Sequence, residues 1–357
     1  MDEKELLTIQ KKIAEIVKGS AGNPQAAVAA LMDIIKETEC KAGNTSPAFY
    51  SVAATAHEAS GDIYMKAKKI GEAEKAFLEM MKMSVKLYEQ DKEKYDYRLA
   101  FSYYKRAAFY RTALQCNTLS AKPKELTPLQ KKMFELTEGL YKNAVACTMD
   151  HARKGVFRYV ELHALVMSEL LILYAAIGDY EKAIICGKDG IKLDKAIYEK
   201  LDDKAHSFRL ANRMNALATV YTFQKDIQNT METFEDAIFV LKEHEAEDPI
   251  TFGVMLARNY ISLGSCYAVI KEEAHKAEKT YQQGLNRMVE VNQKAENRLI
   301  NDVITSYMMV GDYYKRVKKE ENAKLYYGWA LKQATELYGK TKDARYENIM
   351  KRLLPLV

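Results

Sequence analysis

The stretch VGDYYKRVKKEENAKLYYGWALKQ, residues 310–333, reads as helix on both sides of a lysine pair, yet it carries a glycine at 311. Glycine in a helix interior costs about 0.5–1 kcal/mol relative to alanine, so its presence asks for a reason. Two reasons are open: a basic, aromatic surface patch, or a packing device that recurs along the chain.

The second is supported by an echo in SGDIYMKAKKIGEAEKAFLEM, residues 60–80. With Gly61 laid on Gly311, an aromatic follows three residues on (Tyr64, Tyr314), an alanine twelve on (Ala73, Ala323) and a second aromatic sixteen on (Phe77, Tyr327). Residues 216–241 place Ala218, Tyr221, Thr230, Phe234 and Ala237 in the same slots. Residues 262–285 place Gly264 and Tyr267 there, then Ala277, Tyr281 and Gly284 one residue late. Residues 169–191 fit more loosely, through Leu171, Tyr174, Ala183 and a Gly178–Asp179–Tyr180 turn. The anchors at 171, 218, 264 and 311 are 46 or 47 residues apart. A fixed period of this size is the mark of stacked repeats, each one supersecondary unit long. Small residues belong where two helix backbones cross, and aromatics fill the space beside them.

This order of residues resembles the tetratricopeptide repeat (TPR), Leu-Gly-x-x-Tyr followed by Ala, Phe and Ala. The resemblance implies an all-α fold: a right-handed α-solenoid of about six TPR-like helical hairpins over residues 45–338. The usual unit is about 34 residues, so a longer period implies helices of about 20 residues. That is similar to the long-helix TPR variants of bacterial peptide-sensing regulators and of vesicle-fusion adaptors. Residues 1–44 read as a helical hairpin, broken at GSAGNP, that caps the first repeat, and residues 339–357 as a capping helix stopped by Pro355. Repeat 2 is the irregular one. Its first helix admits two registers, Ala100 with Tyr103 or Ala108 with Arg111, and a polar loop, residues 118–128, follows. This loop is either a simple insertion or a segment folded over the groove. Thr127 and Pro128 read as the N-cap and first position of the next helix.

Bulk composition agrees with long helices. The chain has 357 residues, only six prolines, 48% hydrophobic and 29% charged residues. The net charge of +5 comes from interspersed Lys and Glu, the pattern of solvated helix faces. No basic block or reading motif points to nucleic acid. The longest apolar run, LLILYAAI at 170–177, is far shorter than a membrane span. Five scattered cysteines, at 40, 116, 147, 186 and 266, form no CxxC, which suits free thiols in a reducing, cytoplasmic setting. The six histidines are dispersed. His57 with Glu58 begins like HExxH, but Gly61 holds the second ligand position. No phosphate loop or nucleophile elbow occurs. The expectation is a non-enzymatic protein with no cofactor and no metal.

The resemblance implies that the first helix of each hairpin lines a concave groove that binds peptides. Spacings of three and four put candidate contacts on one face of each such helix. These are Arg209, Asn212, Asn215 and Thr219 (with Thr222) in repeat 4, Arg258, Ser262 and Ser265 in repeat 5, and Arg298, Asn301, Thr305, Met308 and Asp312 in repeat 6. Asn amides both donate and accept, which suits a peptide backbone, and Arg clamps carboxylates. The Lys/Asn carboxylate clamp of chaperone-tail TPR domains is replaced in repeat 1 by Glu58 and Asp62. The function expected is a protein- or peptide-binding scaffold. The alternative is a structural adaptor that docks on a larger assembly by its outer face or ends.

Overall fold

The computed structural model describes residues 1–357, the side chain of Glu3 excepted, and it is built of helices, with no strand among the described residues. Fifteen α-helices follow one another: α1 Glu3–Gly19, α2 Pro24–Ala42, α3 Pro47–Lys66, α4 Ile70–Gln90, α5 Lys92–Ala113, α6 Pro128–Arg153, α7 Phe157–Ile177 and α8 Tyr180–Leu201, then α9 Lys204–Phe223, α10 Ile227–Glu243, α11 Pro249–Tyr267, α12 Ala274–Lys294, α13 Ile300–Arg316, α14 Glu320–Thr341 and α15 Ala344–Leu353. This is the all-α helical-repeat solenoid class expected from the periodicity. Packing divides the chain inside α8 into two compact units, Met1–Leu193 and Asp194–Val357.

In the first unit α1 packs on α2 and on α3, burying Ile13, Leu31 and Ile34 against Val52, Ala56 and Ile63. The pairs α3/α4 and α5/α6 and then α7 follow in sequence order. In the second unit α9/α10, α11/α12 and α13/α14 are closed off by α15. Local chemistry sets the helix starts. Thr127 accepts from the Gln130 amide and Gln130 returns a bond to the Thr127 backbone, a capping box with Pro128 just inside. Asp91, Asp203, Asp226 and Asp248 cap α5, α9, α10 and α11 with a single bond each, the carboxylate accepting from the backbone N–H three residues on.

The recurrent glycine is explained at the helix crossings. A methyl group on Gly311 would lie 2.6 Å from the Tyr327 ring, one on Gly61 2.6 Å from Phe77, and one on Gly264 3.0 Å from Tyr281. Each glycine therefore lets the second-helix aromatic lie on the backbone of the first. The turns repeat as well. Lys68, Gln115, Gly178, Lys225 and Lys318 all take a left-handed conformation, and the next N–H donates to the carbonyl of Tyr64, Arg111, Tyr174, Tyr221 and Tyr314 respectively. This closes each helix with a Schellman-type bond.

Consecutive hairpins are joined by a second recurrent bond. The hydroxyl of the first-helix tyrosine donates to a glutamate on the preceding second helix: Tyr110 to Glu74 (2.9 Å), Tyr174 to Glu138 (2.6 Å), Tyr267 to Glu235 (2.6 Å) and Tyr314 to Glu278 (3.1 Å). These bonds resolve repeat 2. The Ala100/Tyr103 register is ruled out, because the turn falls at Gln115. Arg111 supplies the turn carbonyl, as the Ala108/Arg111 register requires, but the bond to the preceding repeat comes from Tyr110. Two roles that one tyrosine fills elsewhere are divided here between neighbours. The 118–128 loop packs on the end of α7: the Lys124 N–H donates to the Ala176 carbonyl (2.7 Å), and Pro123 lies on Gly178.

Helix α7 differs from its reading by run length. Taken over a whole window it is long and apolar enough to cross a membrane, since scattered polar residues interrupt an apolar run without changing its average. Twelve of its residues, among them Leu162, Val166, Leu171 and Leu173, are nonetheless buried in the protein.

The crossings make a paired prediction. Gly311→Ala forces Tyr327 aside and should cost about 1–3 kcal/mol, the usual penalty of overpacking. Gly328→Ala, in the middle of α14 with nothing within 4 Å of the added methyl, should instead stabilise by about 0.5–1 kcal/mol. Urea unfolding midpoints of the two variants read the difference, and equal shifts of one sign would contradict it.

Candidate functional site

The polar faces of the first helices are largely joined to one another. Glu58 and Asp62 of α3 hold Arg98 (2.8 Å) and Lys105 (2.7 Å) of α5. Arg111 of α5 holds Glu169 of α7 at 2.5 Å, and the Tyr141 hydroxyl donates to the same carboxylate. Arg258 of α11 pairs with Asp302 of α13 at 2.6 Å. Asp312 of α13 accepts from the Tyr327 hydroxyl at 2.6 Å and faces Arg352 of α15 at 3.5 Å. The more exposed pairs, Arg258–Asp302 and Arg352–Asp312, contribute at most about 1 kcal/mol each, whereas Arg98–Glu58 and Arg111–Glu169 are largely enclosed; together they hold neighbouring helices in register.

Between α9 and α11 the facing residues are hydroxyls instead. Thr219 and Thr222 of α9 and Ser262 and Ser265 of α11 line an open cleft of about 400 Å³. Its floor is apolar, built by Ile227 and Phe234 of α10, Cys266 of α11 and Met309 of α13. Thr219 and Thr222 donate to the carbonyls of Asn215 and Ala218 in their own helix, and Ser265 to that of Ile261. With their protons committed, Thr219 and Thr222 are left as hydrogen-bond acceptors, while Ser265 also shares a hydrogen bond with the Tyr281 hydroxyl at 2.7 Å. Burial pushes the Cys266 thiol up to about 11, so it stays protonated and acts as a small apolar surface.

Of the residues singled out in the sequence, Thr219, Ser262 and Ser265, together with Thr222, are brought together in this cleft. The others lie elsewhere. Arg209 sits 3.4 Å from the buried Asp194 carboxylate. Asn212 is exposed and Asn215 half-buried on α9. Arg298 is not on a helix at all: it lies in the turn before α13, its Nε donating to the Ala295 carbonyl at 3.0 Å. Asn301 accepts from the Tyr346 hydroxyl of α15 at 2.8 Å, so the last helix of the chain stands beside it. Thr305 bonds within α13, and Met308 is half-buried. Helical phasing missed Met309, about 100° round the helix from Met308, because which phase meets the cleft is set by the neighbouring helices and not by the helix itself. It missed Arg213 as well. That guanidinium donates to Asp194 at 2.6 Å, with both groups buried (3% and 1% exposed). Its spacing of four from Arg209 was the available signal.

The histidines are placed by packing. Among the described residues no group of three His, Cys, Asp or Glu side chains is arranged to hold a metal ion. Burial holds His57 below its ordinary value, against the pull of Glu79, and does the same to His163, against Asp189.

The crystal structure of the apo form of RapI matches this chain with a TM-score of 0.54 at 12% identity, covering 97% of this chain and 85% of that one. BtubC from P. vanneervenii matches with a TM-score of 0.49 at 16% identity over 81% of this chain and 92% of its own. A Rap protein complexed with Competence and Sporulation Factor gives 0.41 at 12% identity over the whole of both chains. No protein-family model and no curated protein matches the chain. At this identity the likeness to RapI is one of fold, a stack of TPR-like helical repeats.

Two predictions follow from the site. Arg213→Ala leaves Asp194 buried without its closest cation and should lower unfolding free energy by about 3–5 kcal/mol. Arg258→Ala, on an arginine whose side chain is 59% exposed, should cost less than about 1 kcal/mol; denaturant titration of both checks the contrast. The pH dependence is set by His57 and His163. A folded-state pKa below the ordinary 6.5 means that the unfolded chain takes up protons first. Their contribution is present above about pH 7 and is lost as pH falls through 6.5 and below. Urea midpoints of the wild type should drop between about pH 7.5 and pH 5, and His163→Phe should flatten that slope.

Proposed function

We propose that this protein is a non-enzymatic binding scaffold of helical repeats, which takes an extended peptide segment across α9, α11 and α13. The observation that supports this reading is the cleft between α9 and α11. Its volume suits one or two side chains, its floor is apolar, and its rim is a row of hydroxyl acceptors. An uncharged apolar side chain fills the floor, while main-chain N–H groups of the same segment reach Thr219, Thr222 and Ser265. The lining residues carry no charge, so the anchor residue of the partner is an aliphatic or aromatic one rather than a carboxylate. Five cysteines with no disulfide among them suit a reducing, cytoplasmic setting.

The test is to fill the cleft. Ser262→Arg and, separately, Thr219→Arg place a charged side chain over the floor. Proteins or peptides retained by the immobilised wild-type chain should be lost from both variants while melting temperatures stay within about 2 °C of the wild type. Undiminished retention by both would overturn the assignment of this face.

A further inference from the structure

Gly328 stands in the middle of α14 without the packing reason found at Gly311: a methyl group added there would meet nothing within 4 Å. A helix-interior glycine is destabilising, so an open one asks for another reason. Beside it on the helix surface are Leu325 and Trp329, 49% and 41% exposed, with the exposed Lys324 and Lys332 one turn to either side. Leu325, Gly328, Trp329 and Lys332 are spaced i, i+3, i+4 and i+7, so they surround a single hole on that face. The missing side chain of Gly328 deepens the hole. From the sequence Trp329 reads as packed beneath the C-terminal helix. In the structure its ring neighbours are Tyr307 and Tyr326, at 5.5 and 5.0 Å.

The outer face of α10 has the opposite character. Phe239 is 67% exposed, with the exposed Asp236 about one turn before it and the exposed Glu243 one turn after. Residues 232–248 hold seven acidic residues and one lysine. That lysine, Lys242, lies over the Tyr260 ring at 5.7 Å. Asp236 has Lys195 at 3.7 Å, an exposed pair that contributes little. By contrast, residues 310–357 hold eleven Lys and Arg against six Asp and Glu. The unit Asp194–Val357 thus carries an aromatic knob in an acidic setting and an apolar hole flanked by lysines.

We propose that each of these faces docks on the other in a second copy of this chain. Phe239 enters the hole at Gly328 as a knob, and its ring, Leu325 and Trp329 leave water together. As second helices of their hairpins, α10 and α14 run the same way within one chain. A twofold axis across them sets α10 of one copy antiparallel to α14 of the other. Asp236 then meets Lys332 of the second copy, and Glu243 meets its Lys324, because each pair stands about one turn from the central contact. A partner of a single charge sign would suit one face and be repelled by the other; a second copy suits both. Every copy carries both faces, so two copies satisfy the two contacts at once and the assembly closes as a dimer. The contact uses none of the residues that line the α9–α11 cleft.

Sedimentation velocity of the full chain, at concentrations up to about 100 μM, reads the assembly directly. The wild type should dimerise in about 50 mM salt and bind its copy about tenfold more weakly in about 500 mM salt, where exposed charges are screened. Phe239→Ser removes the knob and Gly328→Leu fills the hole, and each should weaken the dimer by about tenfold or more. Both should melt within about 2 °C of the wild type or above it, since Phe239 is exposed and the space at Gly328 is open. Asp236→Lys and Lys332→Glu should each weaken the dimer, and the two combined should restore it to within about threefold. The proposal is overturned if the wild type stays monomeric over this range, or if Gly328→Leu dimerises as tightly as the wild type. It is overturned too if the combined charge reversal is no tighter than either reversal alone.

Discussion

Everything in this chain depends on an aromatic ring laid directly on the backbone of its partner helix. Tyr327 on Gly311, Tyr281 on Gly264 and Phe77 on Gly61 bring paired helices closer than any side chain at the glycine would allow. Close approach gives each ring contacts on every side, and dispersion between many atom pairs adds up where no single contact matters. The helical penalty of the glycine is small beside that gain. Because the crossing is set by one small residue and one aromatic at a constant separation, the pattern can repeat along a chain without copying anything else.

The hairpins are then tied to each other by tyrosine hydroxyls on glutamates. The geometry makes these unequal partners in titration. Burial and the bond to Glu138 push Tyr174 well up, and Tyr314 is raised to about 12, by burial first and with Glu278 adding to it. Glu278 is held below its ordinary value by Lys319 and then by the same tyrosine, against burial. Tyr174 and Tyr314 therefore keep their protons and Glu278 its charge throughout the neutral range, so the bond from Tyr314 to Glu278 keeps its direction. The first helices add ion pairs across α3–α5, α5–α7, α11–α13 and α13–α15. These charges satisfy one another. The α9–α11 cleft differs because its rim is hydroxyl and its floor apolar, which leaves surface for another molecule to cover.

The fold was legible in the sequence wherever the frame was strict. Gly61, Gly264 and Gly311 mark crossings, and Lys318 marks a turn, as their spacing implies. Repeat 2 was not legible, because its helix divides between Tyr110 and Arg111 the two tasks that Tyr174 or Tyr314 performs alone, and either neighbour can be laid on the frame. The candidate site was legible in part. Thr219, Ser262 and Ser265 converge, whereas Asn301 and Asp312 face α15 and Arg298 falls in a turn.

By itself the sequence determined that this chain is a stack of long helical hairpins, since small and aromatic residues 46 or 47 apart are required wherever two backbones cross. That requirement is local to each hairpin and is written in each one. Only the tertiary structure decided which polar residues meet solvent and which meet protein. Tyr346 reaches Asn301 and Arg352 reaches Asp312 from 45 and 40 residues away, and such a contact leaves no mark on the periodicity of either helix. A helix face has one phase in sequence but two sides in a stack, one toward its neighbours and one toward solvent. The neighbours alone distinguish them.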